Sequence, residues 1–211
     1  MCEYPDEIIE LTKALGASTL YEASGIKNSA LDYSIRPVWE GAAVAGPAYP
    51  VACAPGDNLA IQLALEKAPA GSILVVTTDQ FVAGYWGEVL TVAAQAVGIK
   101  GLVIDGGVRD IAALRRFRFP VFSRGISVRG THKDTANSVG QPIQIMGTSV
   151  QAGDLVVADD DGVVILPHQC ALEIIQQGKT REAKEAVMMR ELSEGKTTVE
   201  LMGLTAWRGE Q

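Results

Sequence analysis

The chain has 211 residues, 47% hydrophobic and 20% charged, which is enough apolar material for one sizeable core, and residues 1–211 are expected to form a single domain. A formal net charge of -7 with no block of Lys or Arg leaves no electrostatic footprint for phosphate backbones, so nucleic acid is not an expected partner. No apolar run approaches the ~20 residues needed to cross a bilayer, and Met1-Cys2-Glu3-Tyr4-Pro5-Asp6 lacks the basic-then-apolar pattern of a secretory signal, so no membrane association and a cytoplasmic location are expected.

In chain order, Asp6 to Leu15 carries Ile8, Ile9, Leu11 and Leu15 at helical spacing and stops at Gly16. Thr19 and Glu22 have capping-box spacing for a second helix ending near Gly25. Gly41 to Cys53 reads as strand, and Asp57 can cap a helix through Lys67 with Leu59 and Leu63, and with Ala60 and Leu65 as further candidates, on its buried side. Ser72 to Thr77 is a buried strand. After a loop Gly84-Tyr85-Trp86-Gly87, the segment Glu88 to Val97 places Val89, Leu90, Ala93, Ala94 and Val97 on one helical face. Gly101 to Ile104 is the next strand, running into a predicted turn Asp105-Gly106-Gly107 and a helix headed by Arg109-Asp110. Pro142 to Met146 and Asp154 to Ala158 read as strands, and Val163 to Leu166 pairs with the latter across Asp160-Asp161-Gly162. A long charged helix runs from Pro167 to about Glu194. The pattern is α/β with a mixed sheet.

Two segments carry the chemistry: Gly84 to Leu90 and Gly106 to Asp110. Both lead into helices, whose first N–H groups favour an anion such as a carboxylate. Arg109 offers a planar fork for a carboxylate or enolate oxygen, and Asp110 and Glu88 offer hard oxygen ligands for Mg²⁺ or Mn²⁺. Zinc is less suited, because neither His132 nor His168 lies in a ligand-spaced pair. Spacing alone leaves a bland alternative open, with Asp110 as a helix N-cap and Arg109 as a solvated turn residue. The run Asp159-Asp160-Asp161-Gly162 fits a hairpin turn better than an ion site, and His132 could act as a proton shuttle. Cys2, Cys53 and Cys170 form no C-x-x-C pair and are expected to be reduced and structural. A Schiff-base route would use Lys100, the lysine nearest the motif, which is expected in a surface turn.

Gly87-Glu88, then Gly101-Leu102-Val103-Ile104-Asp105-Gly106-Gly107-Val108-Arg109-Asp110 and Pro120-Val121-Phe122-Ser123-Arg124-Gly125, resembles the core of the RraA-like proteins. The likeness runs from about Ser18 to Pro167 and weakly into Arg181 to Glu185. Within that family the chain is more similar to the class II 4-hydroxy-4-methyl-2-oxoglutarate and 4-carboxy-4-hydroxy-2-oxoadipate aldolases. Those are marked by an acidic residue, twenty intervening positions, and Arg-Asp, here Glu88 and Arg109-Asp110, with Glu in place of the more usual Asp.

The resemblance implies a swivelling β/β/α sandwich with a barrel-like mixed sheet and flanking helices, assembled as a homotrimer or homohexamer whose terminal helices can pack on neighbouring subunits. It implies Asp110 as the ligand of Mg²⁺ or Mn²⁺, Arg109 on the keto and carboxylate end of the substrate, and the backbone of Gly87, Glu88, Val89 and Leu90 on the pyruvyl carboxylate. Glu22 and Glu185 best match the acids that approach the metal from an adjacent subunit. The activity implied is cleavage of a 4-hydroxy-2-oxo acid to pyruvate and a second oxo acid, with oxaloacetate decarboxylation through the same pyruvate enolate and Glu88 as a candidate proton relay. The alternative is a non-catalytic protein-binding regulator of a ribonuclease, a group that lacks the acid Glu88 supplies.

Overall fold

The computed structural model describes residues 4–209, so Cys2 and the first three residues of the N-terminal segment discussed above lie outside the described residues. The chain opens with helix α1 (Asp6–Ser24), followed by β1 (Arg36–Pro37), β2 (Val44–Cys53), α2 (Leu59–Lys67), β3 (Ile73–Thr77), β4 (Gly84–Trp86), α3 (Glu88–Ala96), β5 (Gly101–Val108), α4 (Ile111–Arg116) and β6 (Val121–Ile126). It continues through β7 (Ala136–Val139), the pair β8 (Ile143–Ile145) and β9 (Thr148–Val150), the pair β10 (Leu155–Asp159) and β11 (Gly162–Leu166), the long α5 (Ala171–Ser193) and the short α6 (Thr198–Leu201). No described helix is long and apolar enough to cross a membrane.

Seven strands run in the order β1-β6-β5-β3-β2-β10-β11, with β4 added beside β5 and β7 beside β2. The centre is parallel, from β2 through β3 and β5 to β6, and the flanks are antiparallel, β1 on β6 and β10 between β2 and β11. One connecting segment nearly closes the sheet. Leu31 N–H donates to Val163 O and Ile165 N–H to Ser29 O, tying residues 29–31 to β11, and the same segment then supplies β1 to the opposite edge.

Alternation along the strands sorts side chains into layers. On β3, Ile73 and Val75 point into the curve of the sheet with Val103, Val156 and Ile165, while Leu74 and Val76 face α2, α3 and α4. On β10, Val156 and Ala158 share that interior, while Leu155 and Val157 meet α1 and α5 through Leu15, Leu20, Ile174 and Ile175. Each such fully buried Leu, Ile or Val contributes about 1.5–3 kcal/mol relative to exposure.

Several local expectations are corrected. The two N-terminal helices are one element kinked at Gly16 (φ 78°, ψ 165°), and the second half is started by Asp159 Oδ2, which accepts the Ala17 N–H at 2.7 Å. Thr19 and Glu22 therefore lie inside a helix and form no capping box. The triple-Asp run is a structural turn. Asp160 accepts the Gly41 N–H, and Arg36 donates to the carbonyls of Asp160 and Asp161.

On α2 the buried residues are Ala60, Ile61, Ala64 and Leu65, so of the expected set Ala60 and Leu65 are buried and Leu59 and Leu63 only half-buried; Asn58 holds the N-cap position, and Asp57 accepts the Leu59 N–H from one residue further out. Asp105-Gly106-Gly107 is no turn. It is the second half of a fully buried β5, where a Cβ on Gly107 would stand 2.6 Å from Ala83 O and one on Gly106 would stand 2.7 Å from Thr78 Oγ1. Those glycines are there because residues 78–83 and β4 cross the strand at backbone distance.

Candidate active site

Strands β4 and β5 lie parallel, pairing Gly84 with Gly107 and Trp86 with Val108, so their C-terminal ends deliver Gly87 and Arg109-Asp110 to one place. The Arg109 N–H donates to Trp86 O at 2.8 Å, which fixes the two exits side by side. Ligands of open parallel sheets bind beyond the carboxyl ends of the strands, and here a cleft of about 370 Å³ opens there. The expected loop at Gly84 to Trp86 is thus a short strand, recruited because Gly106 and Gly107 admit it.

Asp110 occupies the N-cap position of α4 but makes no side-chain cap to that helix. Its backbone is left-handed (φ 59°, ψ 38°), a conformation that costs a non-glycine residue of order 1–3 kcal/mol and recurs at ligand-binding positions. That twist turns the carboxylate across to α3, where Oδ2 accepts the Glu88 N–H at 3.0 Å and lies 3.8 Å from Arg109 Nε. Oδ1 has no partner among the described residues. Gly87 is required by this contact, since a Cβ there would collide with Asp110 Oδ2. The capping alternative for Asp110 is therefore not what the fold builds.

Arg109 runs along the same groove, its Cγ and Cδ 3.1 Å from where Cβ atoms on Gly87 and Gly84 would stand. Its guanidinium has only the long contact to Asp110 among the described residues, and about half of the side chain is exposed. Its stem is laid against β4, while its head group is exposed, so the solvated alternative is met at the guanidinium and not along the stem. At the head of α3 the Glu88 N–H is occupied by Asp110, while the Val89 and Leu90 N–H groups have no partner among the described residues, as first-turn amides do. The Val89 side chain is 80% exposed, off the buried face expected for it.

The opposite wall comes from residues far away in sequence, Asn58, Gln62, Thr131 and Lys133. Asn58 is buried; its Nδ2 donates to Tyr85 O at 2.9 Å, while Oδ1 has no partner among the described residues. Lys133, and not Lys100, lines this cleft. Lys100 lines a separate cavity beside α1, and Lys133 is exposed, without the apolar enclosure a Schiff-base lysine needs. Asp57 holds this wall in place. Oδ1 accepts the Leu59 N–H, and Oδ2 accepts the N–H groups of Asp134 and Thr135 at 2.7 and 2.6 Å. Burial alone would raise the Asp57 carboxyl, but those three donors outweigh it and hold it below its ordinary value. Burial likewise pushes the Cys53 thiol up to about 12, and Cys53 and Cys170 are both free.

Asp57, His132 and Asp134 bring three ligand atoms within 4.8 Å of one another and could hold a metal ion. Proximity favours it, but the donor set does not, because both Asp57 oxygens already receive N–H bonds. Asp110 instead presents to the cleft an Oδ1 that has no partner among the described residues. Glu88, by contrast, turns its carboxylate to Arg116 of α4, 2.6 Å away, and does not line the cleft. Glu22 and Glu185 are brought together elsewhere, both paired with Arg181 where α1 meets α5, and neither lines this cleft.

The architecture, a mixed α/β fold with a nearly closed sheet and flanking helices, recurs in solved structures of the RraA kind. The chain belongs to the Aldolase/RraA family (RraA-like), whose pattern matches residues 13–165. A Halalkalibacterium halodurans protein provisionally named a 4-hydroxy-4-methyl-2-oxoglutarate aldolase is 33% identical over 165 residues, covering 78% of this chain and 79% of its own. An uncharacterized Pseudomonas syringae pv. tomato protein superposes with a TM-score of 0.85 at 29% identity over 97% of this chain and 96% of its own. Streptomyces coelicolor RraAS2, described as an unusual member of the RNase ES inhibitor RraA family, superposes with a TM-score of 0.78 at 26% identity over 89% of this chain and 100% of its own.

Proposed function

We propose that this chain is a divalent-metal-dependent class II aldolase that cleaves a 4-hydroxy-2-oxo acid to pyruvate and a second oxo acid, and that decarboxylates oxaloacetate at the same site. The observation that carries this reading is the Arg109-Asp110 pair. A guanidinium and a carboxylate, both short of partners, are held side by side in a cleft, the carboxylate on a left-handed backbone with Oδ2 accepting the Glu88 N–H and Oδ1 left without a partner among the described residues. Its relatives' provisional naming as aldolases supports the same chemistry.

Asp110 would hold Mg²⁺ or Mn²⁺, which when bound supplies Lewis-acid polarisation of the 2-keto oxygen. Arg109 places positive charge where the enolate oxygen develops as the C3–C4 bond breaks. The Val89 and Leu90 amides bind the pyruvyl carboxylate, with Gly87 keeping the approach open. Lys133 faces the far end of the substrate as a cation for its distal carboxylate. The C4 hydroxyl proton leaves through water relayed by Glu88, which stands outside the cleft lining, or by an acid of a neighbouring copy, Glu22 or Glu185, leaving a carbonyl at C4. The bond's electron pair becomes the enolate, which takes a proton at C3 to give pyruvate. Loss of CO₂ from oxaloacetate gives the same enolate.

The site in this reading is completed in a homotrimer or homohexamer, and light scattering that shows only monomer in an active preparation counts against that part. The direct test is pyruvate release, coupled to lactate dehydrogenase, from 4-hydroxy-4-methyl-2-oxoglutarate, 4-carboxy-4-hydroxy-2-oxoadipate and oxaloacetate, with Mg²⁺, with Mn²⁺ and with EDTA. Turnover lost with EDTA is the expected result. A folded protein inactive on all three shifts the reading to the non-catalytic regulator.

A further inference from the structure

Arg109 and Lys133 line opposite walls of the cleft, and their backbones are joined by three hydrogen bonds that pass through one side chain. The Arg109 N–H donates to Trp86 O at 2.8 Å. Asn58 Nδ2 donates to Tyr85 O, the preceding carbonyl of β4, at 2.9 Å, and the Asn58 N–H donates to His132 O, the carbonyl next to Lys133, at 3.1 Å. On the far wall residues 132–135 are carried by residues 56–58, since the His132 N–H donates to Gly56 O and the N–H groups of Asp134 and Thr135 donate to Asp57. Where Asn58 goes, Lys133 follows. Two other ties join the wall to β4, the Tyr85 hydroxyl with Gly56 and Ala54 and the Gly84 N–H with Arg129 O, but on the wall side both end on residues outside the cleft lining, whereas Asn58 is part of it.

Asn58 is 5% exposed, and its Oδ1 has no partner among the described residues. Turning the amide over would set Oδ1 against Tyr85 O, so the donor is fixed toward β4. A buried amide with one polar atom unpaired is a poor device for stability alone, because the orphan costs at least what the single bond returns. We propose that Asn58 is a positioning residue that sets where Lys133 stands relative to the Arg109-Asp110 pair. This role rests on the aldolase reading above, in which Lys133 meets the distal carboxylate of the substrate. Asn58 itself touches no substrate atom, since its Oδ1 is enclosed. The near end of the cleft does not depend on it, because β4 is paired with Gly107 and Val108 of β5 and bonded to the Arg109 N–H.

The test measures kcat and KM on whichever dicarboxylic oxo acid turns over, with thermal melts and calorimetric binding of oxalate, which is too short to reach the far wall. The variants are Asn58→Leu, Asn58→Ser, Lys133→Met and the Asn58→Leu/Lys133→Met double variant. Asn58→Leu is expected to raise KM by about fivefold, the scale of losing one exposed charge contact, with kcat, oxalate affinity and melting temperature near wild type. Asn58→Ser, which is smaller and keeps a hydroxyl, should move KM the same way and carries the test if the leucine variant fails to fold. Asn58→Leu added to Lys133→Met should raise KM no further. Unchanged KM, an oxalate affinity that falls in step with KM, or an equal rise in KM with and without Lys133 overturns the assignment and leaves the aldolase reading intact. A wild-type protein that neither releases pyruvate nor binds oxalate overturns that reading, and this role falls with it.

Discussion

Asp110 lines the cleft and Asp57 lies buried behind its facing wall, and the two show opposite uses of a carboxylate. Asp57 is fully buried and receives three backbone N–H groups, so it knits the start of α2 to residues 132–135. Asp110 is part-exposed, receives one N–H, that of Glu88 at the head of α3, and sits on a left-handed backbone without capping its own helix α4. The difference teaches which carboxylate is available. Saturated lone pairs hold a fold together, whereas a free oxygen on a strained backbone is presented to something else.

The largest expected effect breaks the ligand side of that contrast. Asp110→Asn keeps the shape and should cut pyruvate release by about 100-fold or more at nearly unchanged melting temperature, and Arg109→Ala should do likewise. Gly87→Ala should follow, losing about 10–100-fold in activity because the new Cβ displaces the Asp110 carboxylate. If Gly87→Ala is fully active, the placement of Asp110 described above is wrong.

Asp57→Asn acts on the other side. An amide offers one acceptor oxygen where three donors converge, so stability should fall by about 2 kcal/mol in urea titration at neutral pH, with a smaller change in kcat. The sign of its pH dependence follows from the lowered folded value. The contribution is present above the ordinary 3.8 and is lost as pH falls through the lower folded value, so the gap between wild type and Asp57→Asn should narrow in acid. Val89→Asp should give the smallest effect. A carboxylate at the head of α3 is neutral or slightly stabilising, by up to about 0.5 kcal/mol, yet it should raise KM for an anionic substrate by about threefold. Unchanged KM would argue against an anion at the Val89 and Leu90 amides.

Most elements were legible from the chain, because β3, β10 and β11 are β-branched runs and α3, α4 and α5 have clear helical starts. Asp105-Gly106-Gly107 misled, since Gly-Gly ordinarily signals a turn. Here those glycines answer to a neighbouring strand 20 residues or more upstream, which local propensity does not register. The Val89 and Leu63 faces were misassigned for a related reason, as period alone does not say which of two apolar stripes meets the sheet.

By itself the sequence determined the α/β class, the family, and the Arg109-Asp110 motif, because each is written in contiguous residues or in fixed spacing. Only the tertiary structure decided that Asp110 reaches across to α3 instead of capping α4, that Asn58 and Lys133 form the facing wall, that Asp57 is saturated, and that Glu88 is tied to Arg116. Those facts depend on backbone twist and on contacts between segments 22 to 78 residues apart, set by packing rather than by any local pattern.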